Sequence, residues 1–207
     1  MDQVSSRGRP RAFDETAAVA AIVETFWAKG YEQTTYEALC DATGIGRQSL
    51  VYAFGTKREM FVRALRAYES ETVGGVCAAL DASLDGRSGI EAAFRLWRDA
   101  AVEGKGCLMV STAADAGVSD TDIAALVQRS RDRLVACFAA AFDRAKSGGQ
   151  LRGGVDAHAL AALAVACGDG CLVHARKPGG AVFAKQAISA FLGAVFLHPT
   201  PTIGERE

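Results

Sequence analysis

The sequence predicts an all-α protein with a three-helix helix-turn-helix head and a larger helical body. Alanine is abundant, alternating β-branched residues are scarce, and the apolar residues recur at helical spacing. A glycine-bearing turn over 42–46 separates two short helical segments so closely that the two helices must cross steeply. Such a crossing presents the second helix to the DNA major groove. The pattern therefore favours a DNA-binding protein over an enzyme.

The first two helices of the head follow from their apolar spacing and their end signals. Apolar residues recur every three or four positions over 14–29, and Gly30 follows directly, as glycine often does after the last helical turn. Thr34 or Thr35 can then cap a second helix, because a threonine hydroxyl accepts from the free N–H groups of the first turn. We expect the second helix to end at the glycine-bearing turn.

The third helix is short, about 47–54, and the fourth is long. Thr56 and Glu59 have the spacing of a capping box, in which each side chain accepts from the other residue's backbone N–H. The fourth helix then runs toward Leu80. After 83–86 the composition shifts and a second helical region begins. Its predicted helices lie near 88–103, 107–116, 120–147, 156–177 and 180–196.

The net charge is only −1, yet the basic residues are clustered. The segment before the first helix carries Arg7, Arg9 and Arg11, and the segment 47–66 holds five basic residues and one acid. For a nucleic-acid binder the distribution of charge matters more than its sum. The clusters lie where a DNA-facing helix and its successor would meet phosphate.

The stretch 13–61 resembles the N-terminal domain of the TetR family of transcriptional regulators. The resemblance is carried by FWAKGYEQTT (26–35), TGIGRQSL (43–50) and AFGTKREMF (53–61). It implies a homodimer in which each subunit has a DNA-binding head and a ligand-binding body, with the last two long helices paired across the dimer. The implied organisation is a basic N-terminal arm over 1–12, a helix-turn-helix domain over 13–60, a ligand-binding and dimerisation domain over 61–198, and a flexible tail over 199–207.

The third helix departs from the family pattern at one position. Similar members commonly have a tyrosine directly after the leucine of this helix, whereas here Val51 follows Leu50 and the tyrosine is Tyr52. A contact made by that hydroxyl must move to Tyr52 or be lost. The departure bears on the operator sequence and not on the fold.

The expected DNA contacts lie in the arm and around the third helix. An arginine such as Arg47 can grip a phosphate or a guanine edge, and Gln48 suits adenine. For Lys57 the resemblance implies a phosphate contact. Arginines around Gly8 can enter a narrow minor groove, or they form a disordered basic tail that adds only nonspecific attraction. The full set is Arg7, Arg9, Arg47, Gln48, Ser49, Tyr52 and Lys57.

The six cysteines form no CxxC pair, and most lie in apolar helical context. We therefore expect free thiols and no disulfide framework. Gly106-Cys107-Leu108 resembles the GCL motif of one subgroup of these regulators. At the start of a helix, with Lys105 nearby, the thiolate of Cys107 would be favoured. The alternative is a small residue packed at a helix junction.

Two further patterns in the body admit two interpretations each. Cys167, Cys171 and His174 share a helix face, which suits a soft metal, but a fourth ligand is not evident and an apolar stripe explains them equally. We predict no metal and no cofactor. Aromatic and sulfur side chains spread over three helices can line an apolar ligand pocket or form plain core. They are Phe94, Trp97, Cys107, Met109, Phe138 and Phe142.

Several classes of protein are disfavoured. No apolar run reaches the roughly 18 residues of a membrane span, because Gly168-Asp169-Gly170 interrupts the best candidate. The N-terminus has no apolar signal core, so we expect a cytoplasmic protein with no membrane contact. No Ser-His-Asp constellation, phosphate loop or carboxylate pair is recognisable, and there are only three histidines, His158, His174 and His198.

The sequence thus predicts a ligand-responsive repressor that a small apolar molecule releases from a palindromic operator. The first alternative is a thiol-based repressor that senses electrophiles or oxidants through Cys107. The second is a DNA-bending or nucleoid protein that uses the basic arm. The operator, the effector, the regulated genes and a role in activation are left open by the sequence.

Overall fold

The all-α prediction is confirmed. The computed structural model describes residues 13–114, 120–154 and 156–197, and within these ranges every named element is a helix and the only β pairing is an isolated bridge between Leu151 and Phe196. The basic arm, with Arg7 and Arg9, lies outside the described residues, as do His198 and the predicted tail.

The head begins with helix α1 over Glu15–Gln33, followed by α2 over Tyr36–Thr43 and α3 over Arg47–Phe54. Helix α1 extends about one turn beyond its predicted end at residue 29. Gly30 does leave helical geometry, with φ of 76°, but the chain resumes a helical turn after this kink. Thr35 caps α2, because the hydroxyl of Thr34 donates instead to the Gly30 carbonyl at 2.6 Å.

The predicted long fourth helix is present, with an interruption. It comprises α4 over Lys57–Tyr68, a π-helical turn over Glu69–Val73, and α5 over Gly74–Asp81. We call this continuous unit the connecting helix. Its capping box is confirmed: the Thr56 N–H donates to Glu59 at 2.7 Å and the Glu59 N–H donates to the Thr56 hydroxyl at 3.3 Å. Such single π turns inside α-helices are frequent at functional sites.

The body helices begin and end within a few residues of their predicted bounds. Helix α9 stops short of the predicted end, because the chain turns at 175–179 and Gly179 takes a φ of 81° before the last helix begins. The observed helices are α6 over Gly86–Val102, α7 over Leu108–Ala114, α8 over Thr121–Ser147, α9 over Ala157–His174 and α10 over Gly180–Val195.

Two hydrophobic clusters form the core. One lies in the body between α5, α6, α8, α9 and α10. The other, which we call the head core, joins apolar side chains of α1–α4. Four members of the head core come from α7 and α8: Leu108, Met109, Ile123 and Val127. Head and body therefore share buried apolar surface.

Helix α9 passes the length and composition test for a membrane span, contrary to the sequence expectation. Gly168-Asp169-Gly170 lies within the helix and does not break it. However, 44% of the helix is buried in the body, and a buried core helix of a soluble protein passes the same test. Gly168 is needed for this packing, since a methyl group there would lie 2.7 Å from Cη2 of Trp97. The glycine thus packs closely against α6 of the same chain.

The prediction of six free thiols is wrong for one pair. Cys77 on α5 and Cys137 on α8 form a disulfide, with their Cα atoms 5.6 Å apart. The sequence could not indicate this pairing, because it depends on the side-by-side packing of two helices separated by 60 residues. The free thiols among the described residues are Cys40, Cys107, Cys167 and Cys171.

Candidate DNA-binding surface and effector cavity

The turn between α2 and α3 is built as the sequence indicates. Gly44 takes the left-handed conformation, with φ of 68°, and its N–H donates to the Cys40 carbonyl at 2.8 Å. Ile45 is buried in the head core, and Gly46 stands at the N-cap of α3. A residue with a Cβ is disfavoured at positive φ, so glycine at position 44 fixes the direction in which α3 leaves the turn.

Helix α3 has one buried and one exposed face. Leu50 and Phe54 are buried in the head core, as their spacing predicts. Tyr52 is 95% exposed, whereas Val51 is 38% exposed. Gln48 and Ser49 are also exposed. The structure therefore places the tyrosine hydroxyl on the outer side of the helix, one residue beyond the family's usual position.

Arg47 lies at the exposed start of α3 and is oriented by two neighbours on α2. Its guanidinium stacks over the ring of Tyr36, 4.6 Å from the centroid. Its Nη1 lies 3.8 Å from Glu37 Oε1, in an ion pair in which both side chains are well exposed. Such an exposed pair contributes little to stability. The guanidinium can therefore exchange Glu37 for a phosphate or a base at low cost.

The start of α4 forms a second positive point beside α3. The Lys57 N–H donates to the Tyr36 hydroxyl at 2.9 Å, which fixes the start of α4 against α2. The ammonium of Lys57 donates to the Glu32 carbonyl at 3.2 Å and lies 4.7 Å from the centroid of the Tyr31 ring. A helix N-terminus and an adjacent ammonium together attract phosphate.

A salt bridge links this part of the head to the body. Arg58 on α4 donates to both carboxylate oxygens of Asp120, at 2.6 and 2.9 Å, and to Asp122 at 2.7 Å. Asp120 is also the N-cap of α8, where its carboxylate accepts from the Ile123 N–H. The hydrogen bonds from Arg58 lower the pKa of Asp120 to about 2. The pair thus joins the start of the connecting helix to the start of α8.

A second link holds α1 against the body. Arg176, after α9, donates to the Lys105 carbonyl at 2.8 Å and to the Trp27 carbonyl. The ammonium of Lys105 lies 5.3 Å from the centroid of the Trp27 ring. The ring of Tyr68 meets that of Trp27 edge-on at 5.0 Å. Trp27 therefore lies at the junction of head, connecting helix and body.

A cavity of about 260 Å³ lies at this junction. Its walls are mainly apolar and come from α1, the connecting helix and α6–α9. Of the predicted pocket residues, Trp97, Cys107 and Met109 line it. Side chains that the sequence did not single out include Trp27, Tyr68, Glu71, Thr72, Val76, Val127, Ser130, Arg131, Leu134, Asp169 and Leu172.

The other three predicted pocket residues do not line this cavity. Phe94, Phe138 and Phe142 are fully buried in the body core and contact one another, with ring centroids 6.0 Å apart for Phe94 and Phe138 and 6.4 Å for Phe138 and Phe142. They are core because their helix faces point toward α10, where Phe191 completes the aromatic cluster. Helical spacing alone does not distinguish these two faces.

The polar groups of the cavity are few. The indole Nε1 of Trp27 is buried and has no hydrogen-bond partner among the described residues. Cys107 is hydrogen-bonded to Tyr68, and burial raises the pKa of both groups. For Cys107 desolvation outweighs the backbone N–H groups of α7, which favours the alternative of a small residue packed at a helix junction. Burial also raises the pKa of Asp169, whose carboxylate accepts from Arg131 at 3.3 Å.

The three residues considered for a metal do not form a cluster. Cys167 and Cys171 are hydrogen-bonded to each other, which lowers the pKa of Cys167 and raises that of Cys171. The ring of His174 packs instead on Phe183, at 4.5 Å between centroids. Within the ranges that the structure describes, no group of three His, Cys, Asp or Glu side chains is placed to hold a metal ion.

The fold and the exposed face of α3 define a helix-turn-helix protein of the kind that regulates transcription. Comparison with known families agrees. The family model for bacterial regulatory proteins of the tetR family matches residues 18–64. A second family model, for the tetracyclin repressor-like C-terminal domain, matches residues 87–191. The chain belongs to the TetR family of DNA-binding transcriptional regulators, which confirms the resemblance seen in the sequence.

Individual relatives support the same assignment. The chain is 30% identical over 149 residues to the uncharacterised regulator YezE of Bacillus subtilis, which covers 70% of this chain and 77% of YezE. It is 40% identical over 63 residues to the repressor ComR of Escherichia coli, covering 30% of each chain. Among solved structures, a cysteine variant of the TetR-family regulator CifR in complex with 26-bp operator DNA has a TM-score of 0.78 at 26% identity, covering 91% of this chain and all of that one.

Proposed function

We propose that the protein is a homodimeric repressor that leaves a palindromic operator when a small apolar molecule enters the cavity. One observation carries the proposal: the connecting helix begins beside α3, and its middle part forms one wall of the cavity. Lys57 stands at its first position, and Glu71, Thr72 and Val76 of the same unit line the cavity. A ligand that displaces the π turn therefore acts on the helix that supports the DNA-facing surface.

The proposed DNA contacts are those predicted from the sequence. Tyr52, Gln48 and Ser49 would reach base edges from the exposed face of α3, while Arg47 would contact a phosphate or a guanine edge and Lys57 a phosphate. Arg7 and Arg9 of the arm would enter the adjacent minor groove. A solved complex of CifR with operator DNA, whose fold is shared over most of the chain, supports the binding of DNA by this fold.

The proposed dimer uses α9 and α10. Their outward sides carry large apolar side chains that the described chain leaves exposed: Leu163, Val173, Val182 and Phe183 are 42–60% exposed. A cluster of exposed apolar residues on neighbouring helices is typical of an interaction surface. Two copies joined there would place two heads about one DNA turn, or a multiple of it, apart.

Release requires that the ligand prefer the conformation that does not bind DNA, since a ligand with equal affinity for both states shifts neither. We propose that the two conformations differ in whether the links between head and body are made or broken. In the present one, Arg58 pairs with Asp120 and Trp27 is held by Arg176. We propose a cytoplasmic protein with a regulatory and non-catalytic role.

The test is fluorescence anisotropy on the DNA upstream of the protein's own gene and on scrambled DNA, at about 0.15 M salt where screening is physiological. We expect tight binding to the upstream DNA alone. Tyr52→Ala should weaken this binding by about 5- to 150-fold, the effect of losing one specific contact of about 1–3 kcal/mol. Leu84→Ala is the matched control, because Leu84 is fully exposed and lies outside the head. Equal, weak binding to both DNAs would contradict a sequence-specific repressor.

The alternative input is a thiol reaction at Cys107. Cys107 lines the cavity, so an electrophile there would reach it. Burial raises the pKa of this thiol, which slows attack because the thiolate is the nucleophile. Cys107→Ser separates the two inputs: loss of DNA release by electrophiles, with retained release by unreactive apolar molecules, would support the thiol reaction.

A further inference from the structure

The inference concerns the chemistry of the ligand and rests on the proposed function of the cavity as the effector site. It begins with Ser130 on α8, which is only 4% exposed and lies in the cavity wall. Its hydroxyl makes no hydrogen bond within the part of the chain that the structure describes. The hydroxyl oxygen is nevertheless accessible, because only Trp27 Nε1 and Arg144 Nε are both enclosed and unpartnered among the described residues.

The accessible surface of this hydroxyl faces the cavity. Val127 and Leu134 lie about one helical turn before and after Ser130, and both also line the cavity. Residues three or four positions apart share a face of an α-helix. Ser130 therefore stands in the middle of the stripe of α8 that forms the cavity wall, and its hydroxyl is free to bond a ligand.

Asp169 on α9 is the second polar group of this wall. Val165 and Leu172, about one turn away on either side, line the cavity as Asp169 does. Its Oδ2 accepts from Arg131 at 3.3 Å, and no described residue donates to Oδ1, which is not enclosed. Burial raises the pKa of Asp169 although the charge of Arg131 acts in the opposite direction. A carboxylate has room for about four hydrogen bonds, so Asp169 can accept another from a ligand.

The two groups together suit a hydroxyl on the ligand. A hydroxyl both donates and accepts, so it can donate to Asp169 and accept from Ser130. The two residues belong to adjoining stretches of α8 and α9, because Arg131 follows Ser130 in the chain and bonds Asp169 directly. A ketone or ether oxygen has no proton to donate to the carboxylate, and an ammonium has no lone pair to accept from Ser130.

The charges of the wall favour a neutral ligand. A cation beside Asp169 would meet the guanidinium of Arg131, and an anion would meet the carboxylate. Glu71 also lines the cavity, but it is exposed to solvent, where its charge is screened. The remaining wall is chiefly apolar, with Trp97 and Met109 among its members. A formal charge there would lose its hydration without a free counter-charge.

The size of the cavity limits the rest of the ligand. Pockets for drug-sized molecules usually measure about 300–1,000 Å³, whereas this one measures about 260 Å³. The rings of Trp97 and Tyr68 lie in its wall, so an aromatic ring finds matching surfaces there. A compact molecule with one ring fits this space.

We propose that the cavity binds a compact, neutral alcohol or phenol whose hydroxyl donates to Asp169 and accepts from Ser130. These two bonds anchor the ligand on α8 and α9, which belong to the body. The apolar part of the ligand then lies against Thr72 and Val76 of the connecting helix, which form the opposite part of the wall. The anchored ligand thus bears on the π turn and the start of α5.

The test uses three probes that share one ring. p-Cresol carries the hydroxyl, 4-methylanisole keeps the oxygen but lacks the donor, and p-xylene has a methyl group in place of the hydroxyl. p-Cresol is neutral at pH 7, since a phenol titrates at about pH 10. Calorimetry on the full-length protein gives the affinity of each probe. We expect p-cresol to bind about 10-fold more tightly than 4-methylanisole, because only p-cresol can donate to a carboxylate.

Substitutions in the wall assign the two bonds. Asp169→Leu keeps the approximate shape and removes the acceptor, so the affinity for p-cresol should fall about 10- to 150-fold, while that for p-xylene should not fall. Ser130→Ala should weaken p-cresol about 3- to 10-fold, the effect of one neutral hydrogen bond. Asp99→Leu is the matched control, because Asp99 is an exposed acid of α6 outside the cavity wall. It should leave all three affinities unchanged.

Several results would overturn the proposal. They are equal binding of p-cresol and 4-methylanisole to the wild-type protein, binding of none of the probes, equal losses of p-cresol and p-xylene in Asp169→Leu, and an unchanged affinity for p-cresol in Ser130→Ala. The comparison of probes on the wild-type protein needs no substitution, so it decides the matter even where Asp169→Leu fails to fold.

These outcomes are separate from the function of the protein as a repressor. Anisotropy on operator DNA without probe measures that function directly. Intact operator binding with failed probes removes only the hydroxyl ligand, whereas absent operator binding removes the repressor.

Discussion

The disulfide between Cys77 and Cys137 predicts a large and specific dependence of stability on redox conditions. The bridge closes a loop of about 60 residues between α5 and α8. For a loop of this length, the chain-entropy relation predicts that the cross-link lowers the entropy of the unfolded chain by about 14 cal/mol/K. This loss destabilises the unfolded chain by about 4 kcal/mol at 25 °C. Domains are stable by about 5–15 kcal/mol in total. Reduction of this one bond should therefore remove a substantial part of the stability.

The assay is urea unfolding followed by circular dichroism, with and without dithiothreitol, on the wild-type protein. Reduction changes no side-chain volume, so the shift in free energy of unfolding reports the cross-link itself. We expect a decrease of about 2–4 kcal/mol, since measured disulfides reach or fall short of the entropic figure. Cys77→Ser with Cys137→Ser should unfold at the same urea concentration in both conditions.

The matched control is Cys40→Ser, which removes a free thiol of the head. This variant should keep the full response to dithiothreitol. The reasoning is refuted if the wild-type protein unfolds at the same urea concentration with and without reductant. It is refuted equally if Cys40→Ser abolishes the response, because the effect would then belong to another thiol.

Three further predictions concern packing, pH and DNA. Gly168→Ala should lower the free energy of unfolding by about 1–3 kcal/mol in urea titrations, because the new methyl group overpacks against Trp97; an unchanged midpoint would show that the ring moves freely. The pKa of Asp120 is depressed from 3.8 to about 2 by Arg58, so its contribution to stability is complete above pH 4 and is lost as pH falls toward 2. Asp120→Asn keeps a good N-cap and should flatten that acid-side loss in unfolding measured from pH 5 to 2; a parallel curve would contradict the assignment. Arg47→Ala should reduce the slope of log affinity against log salt on operator DNA by about one, if Arg47 contacts a phosphate, and an unchanged slope would exclude that contact.

Local features of the fold could be predicted from the sequence because their causes lie within a few residues. Gly44 directs the turn through its own positive φ, and Thr56 with Glu59 caps α4 through hydrogen bonds across three positions. The buried pair Leu50 and Phe54 follows from helical spacing. The end of α1 differs from the predicted one because Gly30 kinks the helix without ending it. A local sequence signal such as Gly30 indicates that the helix is interrupted, but it does not indicate whether the chain resumes a helical turn afterwards.

Features that depend on tertiary packing could not be predicted. The partner of Arg58 is 62 residues away in sequence, and Asp120 on its own reads as an ordinary N-cap. Trp27 carries the same apolar pattern as the buried Phe26, so nothing local marks it as a cavity residue. Phe94 lies in the body core and not in the predicted pocket, and the sequence does not distinguish the two because aromatic residues line both pockets and cores. The combination of a large ring and a polar N–H is the one property of Trp27 in the sequence that indicates a cavity-lining residue.

The shared head core limits how far this regulator is modular. Two family models describe the chain as two units, yet Leu108 and Ile123 of the second half complete the apolar interior of the first. A head transplanted onto the body of another regulator would lose these neighbours and gain others of different shape. If the exposed face of α3, which includes Tyr52, reads the operator as proposed, we expect substitutions there to exchange operator specificity more readily than an exchange of whole heads. We therefore expect evolution within the family to change exposed side chains of α3 and to keep the buried apolar contacts between head and body.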